Sequence, residues 1–240
     1  MSRCAVALLV ACALASVETI AAGAQAGGRG TIKGHVKLTG KLPGNPVIRM
    51  GMDPMCAKAN AGKQVVQETV MAALDGSLAN VFVSLEGTFP PTPVSTDPVV
   101  IDQRACIYRP RVVGARVGQT LQVKNSDDLL HNVHSLTEKG NAFNISEPKA
   151  GMVQSFKLKD AEMLRIKCDV HRWMTTYVGI VTNPYFAVSN DGGNFEIANV
   201  PPGSYTIRAW HELYGPVTQK VTVRAGAPAT VNFSYAAKEK

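Results

Sequence analysis

Five residues with sulfur or imidazole side chains lie in two short runs in the second half of this chain. Cys168, His171 and Met174 follow one another in the run Cys-Asp-Val-His-Arg-Trp-Met, and His131-Asn-Val-His134 precedes them. A thiolate, two imidazoles and a thioether form a ligand set of copper electron-transfer sites, because these donors suit both Cu(I) and Cu(II). We therefore predict one copper site, in which Met174 is the weak axial ligand.

The upstream run offers two candidates for the second imidazole. Side chains alternate across a strand, so residues three apart point to opposite faces and only one of His131 and His134 can reach the metal. The spacing alone does not choose between them. Zinc is the main rival metal, but structural zinc sites generally use four Cys or His ligands, and a thioether adds little. Asp127 and Asp128 precede the run, where we expect a solvated turn.

The N-terminus predicts export. Arg3 precedes a short apolar stretch, residues 4–15, and Ala24-Gln-Ala26 provides a cleavage site, so residues 1–26 are expected to be a signal peptide of a periplasmic or secreted protein. Residues 9–12 resemble a lipoprotein box, but it comes early and apolar residues continue past it, so a lipid anchor at Cys12 is not expected. No later stretch reaches the length of a transmembrane segment.

The cysteines and the charge add two expectations. The mature chain would keep Cys56, Cys106 and Cys168, and in an oxidising compartment two of the three should pair. If Cys168 binds metal, Cys56 and Cys106 are the natural disulfide. The net charge of +7 is compatible with an acidic partner. Nucleic-acid binding is not expected, since the basic residues form no stripe and no stacking aromatics accompany them.

Alternation of apolar and polar residues predicts an all-β chain of sandwich type, with short helix candidates only at 56–62 and 160–163. A proline-rich connector at 88–98 and a break at 182–185 separate three parts. Residues 99–183, between the two breaks, contain all the candidate ligands.

Residues 99–174 resemble a cupredoxin, most closely the amicyanins. Residues 110–125 are similar to the strand, turn and Asn-ending strand before the first histidine of that family, and the C-x2-H-x2-M run follows at nearly the family spacing. The resemblance implies a Greek-key β-sandwich with one type 1 copper site and these ligands: His131, Cys168, His171 and Met174. It implies that hydrogen bonds of Asn132 tie the ligand loops together, and that electrons pass near His171 on an exposed loop.

The flanks resemble a carboxypeptidase regulatory-like β-sandwich. Asp191-Gly-Gly-Asn-Phe-Glu-Ile and Gly203-Ser-Tyr-Thr-Ile look like its second half, and Ala79-Asn-Val-Phe-Val-Ser-Leu like part of its first. Residues 27–88 and 184–236 would then form one discontinuous module around an inserted cupredoxin at 99–183. The alternative is an N-terminal extension, a cupredoxin and a separate C-terminal sandwich. We prefer the inserted arrangement.

These features favour one-electron transfer to a redox protein such as a cytochrome or a dehydrogenase. Cys168 lies between Lys167 and Asp169, whereas multicopper oxidases and copper nitrite reductases place a histidine beside the copper cysteine, and the chain has five histidines in all, too few for a second copper centre. We therefore expect no enzyme. The alternatives are a copper storage or delivery protein, and a structural or carbohydrate-adhesive module whose cupredoxin binds no metal.

Overall fold

The structure is a computed structural model that describes residues 28–237. This part of the chain is mostly β-strand, which confirms the predicted all-β class. The predicted signal peptide, residues 1–26, and Cys12 lie outside the described residues. Within residues 28–237, no helix has the length and apolar character needed to cross a membrane.

The described chain contains seventeen strands. Two precede the proline-rich connector: β1 (Gly30–Thr39) and β2 (Phe82–Glu86). Nine follow it: β3 (Val99–Arg104), β4 (Ile107–Arg109), β5 (Val112–Arg116), β6 (Thr120–Asn125), β7 (His131–Leu136), β8 (Asn144–Glu147), β9 (Val153–Lys157), β10 (Glu162–Lys167) and β11 (Thr175–Val181). Six complete the chain: β12 (Phe186–Val188), β13 (Asn194–Val200), β14 (Gly203–His211), β15 (Gly215–Val223), β16 (Pro228–Thr230) and β17 (Phe233–Ala236).

The two ends of the chain share two sheets, which we call the outer sandwich. One sheet has the order β13-β1-β16, with β17 also paired to β1, and the other has the order β12-β2-β14-β15. Along β1, Ile32, Val36 and Leu38 are buried, as expected for a strand with one face in a core. They pack with Leu85 of β2 and Ile207 of β14 in one apolar cluster. Strands from before and after the connector therefore share one core.

The central strands form two further sheets, which we call the middle sandwich. Their orders are β5-β11-β10-β7-β8 and β4-β3-β6-β9, and a second apolar cluster lies between them. The expectation of a short helix at 160–163 was wrong, since β10 begins at Glu162. Buried Leu164 and Ile166 alternate with polar Arg165 and Lys167 along that strand, a period that fits a strand rather than a helix.

The segment between β1 and β2 crosses from the outer to the middle sandwich. It contains a 3-10 turn, Met50–Met52, and a short helix α1, Pro54–Ala59. Pro54 suits the first helical position, and the Asp53 side chain caps the helix by accepting hydrogen bonds from the N–H groups of Met55 and Cys56, each at 3.0 Å. Met50 and Cys56 are buried in the core of the middle sandwich. We predicted that residues 27–88 belong to the regulatory-like module. Part of this segment instead packs on the middle sandwich.

The disulfide between Cys56 and Cys106 is present, with the two Cα atoms 5.7 Å apart. Cys106 lies between β3 and β4, so the bond fastens α1 to the middle sandwich. Both half-cystines are fully buried. Cys168 is the free cysteine of the described residues, as the cysteine count predicted.

Close contact between the sandwiches depends on two glycines. Phe82 of β2 and Phe186 of β12 lie against Gly114 of β5 and Gly179 of β11. A Cβ atom at Gly114 would stand 2.4 Å from the Phe186 ring, and one at Gly179 would stand 2.6 Å from the Phe82 ring. The missing side chains therefore let the aromatic rings of the outer sandwich rest on the backbone of the middle one.

A buried ion pair spans the same seam. Nε and Nη2 of Arg111 donate to the two carboxylate oxygens of Glu212 at 2.8 and 2.6 Å, and both side chains are 8% exposed. Nη1 of Arg111 donates to the carbonyl oxygen of Thr175 at 2.9 Å. Glu212 follows β14, and Thr175 directly follows the candidate ligand Met174. The pair thus connects the outer sandwich to the end of the ligand loop.

We predict that Glu212→Gln lowers the free energy of unfolding by about 3 kcal/mol or more, because the Arg111 guanidinium would stay buried without its anion. Chemical denaturation of the metal-free protein measures this change. The control Arg111→Met/Glu212→Leu removes both charges and should recover most of the loss. Equal stability of Glu212→Gln and the unsubstituted protein would contradict a structural role for the pair.

Candidate metal centre

Two neighbouring strands and one loop bring the candidate ligands together. His131 begins β7 and Cys168 directly follows β10, and these strands are antiparallel neighbours. His171 and Met174 lie in the loop between β10 and β11. Inside this loop the N–H of Met174 donates to the carbonyl of His171 at 2.8 Å, and the N–H of Cys168 donates to the carbonyl of Met174 at 3.2 Å. These bonds close residues 168–174 into a compact turn.

Three donor atoms converge in the core of the middle sandwich. The Nδ1 atoms of His131 and His171 lie 3.0 Å apart, and Sγ of Cys168 lies 3.9 Å from Nδ1 of His171. The ligand atoms of the three residues all lie within 4.8 Å of one another, and none of the three side chains is more than 2% exposed. Met174 is buried in the same cluster, 1% exposed. One ion could therefore contact both imidazoles and the sulfur.

The structure distinguishes the two histidines that the spacing left open. His131 is fully buried and lies beside Cys168 and His171. His134 lies on the opposite side of β7 with its side chain 29% exposed, and its Nδ1 lies 2.9 Å from Oδ2 of Asp169. The alternation of strand side chains separates them, as expected. His134 is therefore not part of the cluster.

Asn132 connects the two ligand segments. Its Oδ1 accepts a hydrogen bond from the N–H of Asp169 at 3.2 Å, and its Nδ2 donates to Oδ1 of Asn144 at 2.7 Å. The side chain thus joins β7 and β8 to the residue after Cys168. This is the link that the cupredoxin resemblance implied.

His171 itself is buried, although its loop neighbours Asp169, Val170 and Arg172 are exposed. His171 is 2% exposed. Its Nε2 lies 3.0 Å from Oδ2 of Asp53 and 3.4 Å from Sγ of Cys56, and its ring centroid lies 5.2 Å from that of Trp173. The segment around α1, fastened by the disulfide, covers this histidine.

A second carboxylate, Asp127, contacts the other histidine. Its Oδ2 lies 2.9 Å from Nε2 of His131, and its oxygens also accept the N–H groups of Ala105 at 2.7 Å and Cys106 at 2.8 Å. The interpretation of Asp127 as part of a solvated turn was therefore wrong. The sequence gives only weak signals for the two aspartates that contact these histidines. Asp127 lies four residues before His131, and the Asp53-Pro54 pair indicates a helix start but no contact with His171.

Hydrogen bonds shift the pKa values of Cys168 and His131 against the effect of burial. Burial alone would raise the pKa of Cys168, but interactions with His131 and with the N–H groups of His171, Asn132 and Val170 outweigh it and lower that pKa. Burial acts to lower the pKa of His131, but Asp127 and Cys168 raise it to about 9. Thiolate character at Cys168 is favoured, and metal binding would release the proton of His131.

The donor set fits copper. If each Nε2 carries the proton and donates it to its carboxylate, both Nδ1 lone pairs are free to bind the same ion. One thiolate and two neutral imidazoles with a buried thioether nearby match the preference of copper, whereas zinc would gain little from the fourth group.

A buried carboxyl group lies close to this cluster. Glu147 of β8 pairs in register with His131 and is fully buried, and Nε2 of Gln103 donates to its Oε2. The Oε1 atoms of both Glu147 and Gln103 have no hydrogen-bond partner among the described residues. Burial raises the pKa of Glu147 more than the Gln103 hydrogen bond lowers it. A proton on Glu147 would let it donate to Gln103 and satisfy both oxygens.

We predict that Glu147→Gln stabilises the metal-free protein increasingly as the pH rises above about 4.5, the ordinary glutamate value. A raised pKa in the folded state means that the unfolded chain loses this proton first, so the stability from Glu147 is full at low pH and declines as the pH rises. Each unit of pKa difference costs about 1.4 kcal/mol at neutral pH. Denaturant unfolding at several pH values measures the effect.

The exposed Glu196→Gln provides the control for this substitution, because Glu196 pairs only with Lys33 at the surface. Its effect on stability should stay small across the same pH range. A constant difference between Glu147→Gln and the unsubstituted protein at all pH values would contradict a proton on Glu147.

Comparison with known families matches residues 178–236 to the Carboxypeptidase regulatory-like domain. The match begins inside β11, a few residues before the boundary expected at 184. No curated protein matches the chain.

Several solved structures are similar to part of the chain. A Cu(I) structure of an amicyanin variant is 20% identical, covers 41% of this chain and 97% of its own, and gives a TM-score of 0.32. A purple cupredoxin from Nitrosopumilus maritimus is 22% identical over 34% of this chain and 98% of its own, with a TM-score of 0.31. A copper-containing nitrite reductase from Thermus scotoductus SA-01 is 16% identical over 39% of this chain and 24% of its own, with a TM-score of 0.31.

The C-terminal prediction is thus confirmed: residues 178–236 contain a carboxypeptidase regulatory-like domain.

Proposed function

We propose that this protein is an exported, non-enzymatic copper protein that transfers single electrons. The observation that carries the proposal is the convergence of three buried donors: Nδ1 of His131, Nδ1 of His171 and Sγ of Cys168. Copper bound there would supply a one-electron Cu(I)/Cu(II) couple. In this proposal the middle sandwich is a cupredoxin with a type 1 site, Met174 is the axial ligand, and the protein works in the periplasm or outside the cell.

The closed environment of the donors supports electron transfer over catalysis. The three donor side chains are at most 2% exposed, and Asp53, Asp127 and the disulfide surround them. Hydrogen bonds fix both imidazoles, which limits the movement that a change of oxidation state could cause. The outer sandwich then serves as a discontinuous regulatory-like module that carries the copper domain as an insertion.

We predict that the purified protein, reconstituted with Cu(II), shows the intense visible absorption of a Cu(II)–thiolate bond. Cys168→Ala and His131→Ala should each lose this band, since each removes one strong donor. His134→Ala is the matched control: it removes a histidine from the same strand that points away from the cluster, and its band should persist. Optical spectroscopy and copper analysis measure these outcomes.

Other outcomes would favour the alternatives. Copper retained only as colourless Cu(I), without a reversible couple in voltammetry, would favour storage or delivery. A protein that binds no copper after incubation would favour a structural or carbohydrate-adhesive module. Loss of the band in His134→Ala but not in His131→Ala would contradict the ligand set.

We further propose an acidic redox protein, such as a cytochrome or a dehydrogenase, as the partner. The protein has a net charge of +7, and an open concavity beside Cys168 is lined by Arg165, Lys167 and Arg172. Asp169 is the one acidic residue of this lining, and it pairs with Lys167 at 2.7 Å. Because His171 is covered, this basic concavity is the better place for a partner to approach the donors.

Removing positive charges from the lining of this concavity is predicted to slow electron transfer to an anionic acceptor. Arg165→Gln/Arg172→Gln removes two charges, and we expect the rate with ferricyanide at low ionic strength to fall by about tenfold, because steering of this kind changes association rates by ~10-fold or more. Stopped-flow kinetics at several salt concentrations measures this.

The matched control for Arg165→Gln/Arg172→Gln is Lys220→Gln/Arg224→Gln, which removes the same amount of charge from an exposed part of the outer sandwich. At about 0.1 M salt, where the Debye length is about 10 Å, it should leave the rate nearly unchanged, because its charges belong to the outer sandwich and do not line the concavity beside Cys168. Equal effects of the two double substitutions would show that only net charge matters and would contradict a docking site beside Cys168.

A further inference from the structure

Both imidazoles of the candidate site have a carboxylate at the nitrogen that points away from it. Nε2 of His171 lies 3.0 Å from Oδ2 of Asp53, and Nε2 of His131 lies 2.9 Å from Oδ2 of Asp127. The two Nδ1 atoms face each other at 3.0 Å on the other side of the rings. With a proton on each Nε2, both Nδ1 lone pairs point into one small volume.

Each carboxylate is itself held by backbone N–H groups. Asp53 caps α1 by accepting from Met55 and Cys56, and Asp127 accepts from Ala105 and Cys106. A carboxylate with several fixed donors cannot easily rotate away from its histidine. Neither aspartate needs a metal to keep its position.

The disulfide between Cys56 and Cys106 links the backbone groups that hold Asp53 and Asp127. Cys56 donates its N–H to Asp53 and Cys106 donates its N–H to Asp127, and these two cysteines are bonded to each other. Asp53 comes from a segment that belongs to neither sheet of the middle sandwich. The disulfide fastens this segment beside His171, together with buried Met50 and the hydrogen bond from Nδ2 of Asn60 to the carbonyl oxygen of Ala105. In the oxidising compartment that we propose, one covalent bond would thus link the backbone groups that hold both aspartates.

We propose that Asp53 and Asp127 are positioning residues that hold both ligand imidazoles as Nε2–H tautomers and stabilise the oxidised metal relative to the reduced metal. This inference rests on the proposed copper site and names residues that the cysteine and histidine spacing does not contain. The reason is electrostatic. Two negative charges that reach the ion through its own ligands raise ligand basicity and favour the ion of higher charge.

The test compares Asp53→Asn and Asp127→Asn with the unsubstituted full-length protein. Each aspartate presents Oδ2 to its imidazole and Oδ1 to backbone N–H groups. Asparagine has a single acceptor oxygen, so it can keep the backbone hydrogen bonds of Oδ1, as a good N-cap residue does, while its Nδ2 faces the imidazole and cannot accept from Nε2. The change therefore removes both the negative charge and the acceptor that holds the Nε2–H tautomer. We expect each substitution to weaken Cu(II) binding about tenfold more than Cu(I) binding, the lower end of the effect of such outer partners. That corresponds to a rise in reduction potential of about 59 mV for each variant.

Asp169→Asn is the matched control, because Asp169 is adjacent to Cys168 but contacts Lys167 and His134 instead of a candidate ligand. Its potential should change much less. Voltammetry measures the potentials, competition with chelators measures both affinities, and long-range proton–nitrogen NMR of the diamagnetic Cu(I) protein reads the tautomers of His131 and His171.

The outcomes separate this inference from the proposed function. An unsubstituted protein with no thiolate absorption and no copper would overturn the copper site itself. A blue protein with a reversible couple, whose Asp53→Asn and Asp127→Asn variants keep its potential, would overturn the role of the carboxylates alone. A shift as large in Asp169→Asn would also overturn it, since general charge would then explain the effect. Protons on Nδ1 in the Cu(I) protein would contradict the tautomer assignment.

Discussion

The arrangement of this protein depends on keeping the imidazoles of His131 and His171 and the sulfur of Cys168 face to face in a buried cluster. Buried polar atoms need partners, and each histidine has a second nitrogen that must be satisfied away from the cluster. Asp127 provides a partner from the loop before β7, whereas Asp53 comes from a segment that would otherwise belong to the outer sandwich. The crossing segment, the helix cap and the disulfide together place that second carboxylate beside His171.

The covered side and the open side of the cluster differ in character. Asp53, Cys56 and Trp173 surround His171, while basic side chains surround the edge beside Cys168. A small redox protein with an exposed histidine ligand would exchange electrons through that imidazole. In the electron transfer that we propose, the side of Cys168 would take this role, and the basic residues around it would attract an acidic partner.

Much of the site was predictable from sequence because its members lie in short, spaced runs. The run from Cys168 to Met174 and the upstream histidine pair predicted a cluster, the cupredoxin resemblance selected His131 over His134, and the count of mature cysteines predicted the disulfide if Cys168 binds metal. The position of Asp53 could not be predicted, because a contact across more than a hundred residues leaves no local pattern. The exposure of His171 was misjudged for the same reason, since the covering segment is fixed by tertiary packing. The short helix expected at 160–163 is absent, because buried Leu164 and Ile166 alternate with polar residues and β10 pairs with β7 and β11.

The pairing of β2 with β12 has a consequence for the order of folding. These strands are antiparallel neighbours, yet the whole middle sandwich separates them along the chain. In an unfolded chain the entropy cost of closing so long a loop delays their pairing. Once the middle sandwich has formed, its two ends lie close together and act as a short hairpin turn. Assembly of the outer sandwich therefore depends on prior folding of the unit that contains His131, Cys168 and His171. In a chain with complete outer sheets, the candidate metal site has therefore already formed.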